Sequence, residues 1–181
     1  KCAVNPVYFM KKYCYIQHPI RGKILFELYP FQEQTLMDLM NHVYSIILKS
    51  RQLGISTLTA GYALWLMIFQ DDKNVLVLAT TQDVAKNLVT KVKEMYDNLP
   101  SWLKRNAQTV ENNKTSMRFK NGSQIKAVSA AKNSARSEAL SLLIIDEAAF
   151  IDYIDSIWTS AQSTLSTGGQ CIALSTPNGI N

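Results

Sequence analysis

The chain has 181 residues, 47% of them hydrophobic and 18% charged, which excludes a disordered polymer and suits one globular domain with a real core. Its longest apolar run, near residues 62–69, is too short to cross a bilayer, and its start, Lys1-Cys2-Ala3, lacks the apolar stretch of a signal peptide, so no membrane role is expected. The net charge of +5, from 19 basic and 14 acidic residues, favours a polyanionic partner only weakly.

Residues 1–30 are rich in Tyr, Pro and Lys and read as an irregular arm packed on a domain that occupies 31–181 and is incomplete at its C-terminal end. Pro30 opens a helix with Leu36, Leu39, Met40 and Val43 on one face. Residues 45–48 read as a buried strand, followed by a loop to Gly54 and a helix over 56–69. A strand apolar on both faces is expected at 75–79 and a helix at 82–97. Asn121-Gly122, between strands at 115–120 and 124–128, predicts a tight hairpin with positive φ at both positions. A second buried strand at 142–145 runs into Asp146-Glu147, and a helix at 154–165 and a strand at 171–174 follow. The alternation predicts an α/β fold, with a mainly parallel sheet, flanking helices and an inserted β-hairpin. Trp65, Met67 and Phe69 read as core, and Trp102 as a packing anchor. His18 and His42 stand far apart without a metal-ligand pattern. The three cysteines, Cys2, Cys14 and Cys171, are an odd number without metal spacing and read as reduced thiols, with Cys171 in the core.

The chemistry concentrates at two places. A loop between a strand and a helix binds phosphate when its amides turn inward, and the usual pattern is Gly, four residues, Gly, Lys, then Ser or Thr. Aligned on Gly54, that pattern puts Ser56 at the Mg²⁺-ligating hydroxyl, but Ile55 stands where lysine is expected and Lys49 where the first glycine is. A cationic amine is nevertheless present at the other end of the loop, and a lysine stem is flexible enough to reach phosphate from there. The competing reading is a lysine snorkelling from a strand end. The second place is Asp146-Glu147: at the tip of an apolar strand, Asp146 suits a Mg²⁺ shell and Glu147 suits the base that orients and deprotonates water. Strands often end in exposed acids, but here the pair follows the loop by several β-α units.

Ser50-Arg51-Gln52-Leu53-Gly54-Ile55-Ser56-Thr57 resembles the first ATPase motif of tailed-bacteriophage large terminases, a family in which some members carry the lysine at the start of the loop. The run 143–150, through Asp146 and Glu147, resembles the family's acidic motif, and 174–179 its coupling motif, with Ser175 and Thr176. Pro30-Phe31-Gln32 resembles the adenine-reading glutamine motif shared with helicases. The resemblance spans 30–179 and implies a P-loop NTPase sheet of the ASCE type and Mg²⁺-dependent ATP hydrolysis that moves double-stranded DNA into a procapsid. It implies phosphates held by the loop from Lys49 to Thr57, metal held by Ser56 and Asp146, catalysis by Glu147 and Lys49, and an arginine finger at Arg136, with Arg51 as its competitor. It also implies portal and small-subunit partners, a homo-oligomeric ring and a host-cytoplasmic location. Two other readings stay open: a helicase or translocase lobe, and a non-catalytic nucleotide-binding module.

Overall fold

A computed structural model of the protein describes residues 1–105, 107–130, 139–166 and 168–179. Contrary to expectation, the first 30 residues are not irregular. A 3-10 turn at Cys2–Val4 leads into helix α1 (Pro6–Tyr13) and the antiparallel hairpin of β1 (Tyr15–His18) and β2 (Gly22–Leu25). Asn5 caps α1 by accepting a hydrogen bond from the Tyr8 N–H at 2.8 Å, and Pro6 follows at a position where its missing N–H costs nothing. Both signals stand in the sequence. Phe9 and Met10 are fully buried, Phe9 packs edge-on against Phe69 at 5.4 Å, and Trp65 Nε1 donates to the Cys2 carbonyl at 2.8 Å.

The body begins with α2 (Pro30–Asn41), β3 (Tyr44–Leu48) and α3 (Ile55–Phe69), followed by β4 (Asn74–Ala79), α4 (Gln82–Asp97) and the short α5 (Ser101–Lys104). Three strands come next, β5 (Thr109–Asn112), β6 (Ser116–Phe119) and β7 (Gln124–Ser129), then β8 (Leu142–Asp146), α6 (Ile154–Leu165) and β9 (Gln170–Ser175). The main sheet has seven strands in the order β3-β9-β8-β4-β7-β6-β5. Neighbours from β3 through β7 are parallel, and β6 and β5 extend the sheet antiparallel. One apolar cluster lies between the sheet and α1, α3 and α4; a second joins Leu143, Ile145 and Cys171 to Ile157, Ala161 and Leu165 of α6. The expected α/β architecture is therefore the one observed. Among the described residues, no helix is long and apolar enough to cross a membrane.

Several local expectations need correction. The expected buried strand at 45–48 is an edge strand whose outer row is open: Ile46 is 90% exposed and Leu48 73%. On α2, Leu36 and Leu39 are buried but Met40 is exposed, and Val43 lies beyond the helix, also exposed. Trp102 is half exposed and packs edge-on against Tyr13. The hairpin forms, but positive φ falls on Gly122 alone. Asn121 instead donates from Nδ2 to the Met67 carbonyl at 2.9 Å, so it caps the end of α3 rather than serving the turn alone. The φ of +84° at Gly122 favours glycine, and a Cβ there would also have to displace the Asp72 carboxylate.

Candidate functional site

Parallel sheets open their binding crevices at the carboxyl ends of the strands. Here β3, β9 and β8 end side by side and deliver Lys49, Ser175-Thr176 and Asp146-Glu147 to one place. The last rung is the Lys49 N–H donating to the Ser175 carbonyl at 2.9 Å, which fixes where the lysine leaves the sheet.

The loop after β3 lines a cavity of about 190 Å³ formed by Lys49, Ser50, Gln52, Leu53, Gly54, Ile55, Ser56 and Thr57. Its backbone turns through two left-handed residues, Gln52 at φ 63° and Gly54 at φ 72°, and the second lets α3 start at Ile55 with its amides open toward the cavity. Ile55 is 4% exposed and belongs to the apolar core. That burial explains the unusual loop: a side chain at 55 faces the core here, so the cation comes from elsewhere. Arg51 is exposed.

The side chain of Lys49 stands at the start of the loop. It is 9% exposed, and its ammonium pairs with Glu147 Oε1 at 3.4 Å. Glu147 also accepts from the Thr176 hydroxyl at 3.2 Å through its other oxygen. The Glu147 backbone is left-handed, φ 54° and ψ 43°, a conformation that costs a non-glycine residue about 1–2 kcal/mol; it turns the chain sharply off β8. The turn is held by the Glu147 N–H donating to Asp146 Oδ1 at 3.0 Å, the Ala149 N–H donating to Ser175 Oγ at 3.1 Å, and Asn178 donating to the Ala149 carbonyl at 2.9 Å. Strain of this kind, held by several partners, is characteristic of functional turns.

Asp146 is buried, and Ser56 Oγ reaches its Oδ1 at 3.4 Å. Burial pushes its carboxyl above the ordinary range. The Lys49 ammonium pulls it back, the Glu147 charge pushes it further up, and the hydrogen bonds from the Glu147 N–H and Ser56 lower it. The net effect on this buried carboxylate still opposes its charged form, despite Lys49, the Glu147 N–H and the Ser56 hydroxyl, and a hard divalent cation suits the Asp146–Ser56 donor pair. Mg²⁺ asks for no larger protein cage, because one or two carboxylates with substrate phosphates are its usual set.

Gln32, expected to read an adenine, makes two hydrogen bonds within the protein. It is 2% exposed, its Oε1 accepts from the Tyr29 N–H at 3.0 Å, and its Nε2 donates to the Leu53 carbonyl at 2.9 Å. The amide thus ties the start of α2 to the loop and does not face open space for a base. Phe31 is exposed and stacks on Tyr29 at 5.8 Å with an interplanar angle of 7°. Arg136 lies outside the described residues. Among the described residues, no group of three or more His, Cys, Asp or Glu side chains is arranged to hold a metal. The sequence does not reveal the Thr176–Glu147 contact, because partners on adjacent parallel strands leave no local spacing to read.

The family described as terminase large subunit, T4likevirus-type, N-terminal, matches residues 46–180 of this chain. Among solved structures, the large terminase of bacteriophage HK97 aligns with a TM-score of 0.76 at 19% identity, over 99% of this chain and 38% of that one. The large terminase ATPase domain of Thermus phage P74-26 aligns at 0.68 and 20% identity, over 86% of this chain and 67% of that one. The large terminase of a thermophilic bacteriophage, solved in complex with ATP-gamma-S, aligns at 0.59 and 16% identity, over 83% of this chain and 38% of that one. The chain thus spans well under half the length of the first and third of these proteins.

Proposed function

The chain belongs to the terminase large subunit family, in its T4likevirus-type N-terminal part, and from that premise we propose that it is a Mg²⁺-dependent ATP hydrolase whose turnover drives double-stranded DNA into a viral procapsid. The observation that carries the reading is the convergence of Lys49, Asp146, Glu147 and Thr176 beside an open phosphate-sized loop. The thermophilic-phage relative solved with ATP-gamma-S supports a nucleotide as the ligand.

In this proposal the amides of 50–57 and the Lys49 ammonium hold the phosphates, while Ser56 and Asp146 hold the metal. Mg²⁺, when bound, neutralises phosphate charge and favours attack at the terminal phosphorus. Arriving phosphate competes with Glu147 for Lys49. The freed carboxylate then orients a water and takes its proton, and Thr176 keeps it aimed. Arg136 supplies a finger in cis or from a neighbouring subunit. Ser175 and Thr176 join the strand end to the turn after Glu147, so a change at the phosphates is passed to the segment 175–179. Residues 1–30 brace the ATPase body of 31–181. The portal, a small terminase subunit, a ring of like chains and the host cytoplasm complete the setting. DNA is held through its phosphates, so binding is sequence-tolerant and weakens with salt.

The family match favours this reading over a helicase lobe. A non-catalytic binding module has no use for Glu147 held in a strained backbone between Lys49 and Thr176. The test is phosphate release from ATP with and without Mg²⁺ and with and without double-stranded DNA; metal-dependent, DNA-stimulated hydrolysis is expected, and hydrolysis indifferent to both would refute the proposal.

A further inference from the structure

Strand β1 pairs with β2 along one side only. The Phe26 N–H donates to the Cys14 carbonyl at 2.8 Å, which makes positions 14 and 26 a hydrogen-bonded pair. Such pairs alternate along an antiparallel ladder, so Ile16 and His18 also turn their main chain toward β2, opposite Ile24 and Gly22. Tyr15 and Gln17 therefore turn theirs the other way. Two N–H groups and two carbonyls stand along that outer edge, and none has a partner among the described residues. Solvent-exposed edges are usually blunted by lysine, proline or a bulge, and Tyr15–His18 carries none of these.

The open edge borders a groove of about 250 Å³, lined by Tyr15 and Gln17 on one side and by Asn87, Thr90, Lys91 and Glu94 of α4 on the other. Those α4 positions form one stripe, beside the buried row of Leu88, Val92 and Met95. Among the described residues, the side chains of Gln17, Asn87, Lys91 and Glu94 have no hydrogen bond or ion pair with another side chain or with the backbone. A strand edge facing a helix across a groove is an arrangement in which an extended peptide adds itself as a further strand. Donors and acceptors repeated at every second residue match the repeat of an extended main chain, which a compact ligand does not offer. Lys91 and Glu94, one turn apart on the facing wall, suit a segment that turns an acidic and a basic side chain toward α4.

We propose that the groove between β1 and α4 docks an extended segment of a partner protein, which pairs with the outer edge of β1 through its main chain and sets an acidic side chain against Lys91 and a basic one against Glu94. Thr57, in the first turn of α3, borders both this groove and the cavity of the loop after β3, so the docked segment touches the helix that leads away from that loop. The N-terminal hairpin is then a docking element as well as a brace.

The test selects a displayed library of random dodecapeptides on the intact chain and titrates the most enriched peptide, made synthetically, against wild type and three variants. Gln17→Pro removes one outward N–H where an edge strand tolerates proline, and is expected to weaken binding by about tenfold or more. Gln17→Ala keeps that N–H and is expected to stay within about threefold of wild type. Thr90→Trp fills the groove from an exposed helix position and is expected to cost as much as Gln17→Pro. Amide exchange at Tyr15 and Gln17 of wild type is expected to slow when the peptide binds. A library that yields no enriched peptide would overturn the proposal, as would a peptide that binds Gln17→Pro and Thr90→Trp like wild type. A loss in Gln17→Ala as large as in Gln17→Pro would overturn the main-chain pairing. Should Gln17→Pro not fold, Thr90→Trp and the two amides decide, and unchanged affinity or unchanged exchange overturns the proposal.

Discussion

Replacing Lys49 by alanine removes the only cation that the described site places against both acids. The side chain is 9% exposed and its ammonium lies 3.4 Å from Glu147, so water does not substitute for it well. A charge-assisted hydrogen bond of this kind contributes about 1.5–3 kcal/mol, equivalent to roughly a 10- to 150-fold loss of ATP affinity. A second effect runs in the same direction. Asp146 is already pushed up by burial and by Glu147, and Lys49 is the neighbour that pulls it down; without the lysine, the two carboxylates repel and Asp146 holds its proton to higher pH, weakening the metal site as well. Titration of Mg²⁺-ATP against wild type and Lys49→Ala, followed by phosphate release under saturating nucleotide, reads both effects. Lys49→Arg is expected to recover only part, because a planar fork does not replace a compact ammonium in a tight loop. Moving the lysine to position 55 in a Lys49→Ala, Ile55→Lys double variant is expected to fail, since Ile55 is 4% exposed and packed in the core. Wild-type binding and turnover in Lys49→Ala would refute the reasoning and leave Lys49 as a strand-end residue.

Gly54→Ala places a Cβ 2.8 Å from Gln32 Nε2 at a φ of +72° and breaks the Gln32–Leu53 tie; a cost of about 1–3 kcal/mol is expected, seen as a Tm lower by roughly 2–12 °C, together with weakened ATP binding. An unchanged Tm would show that the loop does not need this geometry. Because Asp146 holds its proton more firmly folded than unfolded, its ionisation opposes folding: stability falls as pH rises from its ordinary value of 3.8 through the raised one, and stays lower above it. Asp146→Asn is therefore expected to melt above wild type at about pH 7 without metal, by a margin that narrows as pH falls, and added Mg²⁺ is expected to raise the Tm of wild type only. A variant that melts below wild type at neutral pH would contradict that sign.

Much of the fold is readable because strong local signals agree with the tertiary answer. The strands at Asn74–Ala79 and Leu142–Asp146 are apolar on both faces and sit in the middle of the sheet, and the period of Gln82–Asp97 marks its buried row. The expectation fails where a short apolar run has no period to show which side is covered. Tyr44–Leu48 is apolar almost throughout, yet lies at the edge of the sheet with one face open. Helix α1 escapes the pattern although Asn5-Pro6 is a start signal, because tyrosines and lysines obscure an apolar row whose Phe9 and Met10 are buried. At the site, the residue types are readable and their pairings are not. Gln32, expected at a base, instead ties α2 to the loop, and Asn121, expected in a left-handed turn, instead caps α3. Both outcomes depend on what the fold brings near an amide, which spacing along the chain does not record.

We propose Glu147 as the catalytic base of a nucleotide site assembled at the ends of β3, β9 and β8. The most direct measurement compares Glu147→Gln with wild type in two assays on the same preparations, Mg²⁺-ATP affinity by calorimetry and phosphate release at saturating ATP. Glutamine keeps the size and can still accept from Thr176, but it neither takes a proton from water nor pairs with Lys49. ATP affinity equal to or above that of wild type is expected, because Lys49 is released to the phosphates, with turnover lower by about a hundredfold or more. Turnover equal to wild type would remove Glu147 from the chemistry and contradict the account.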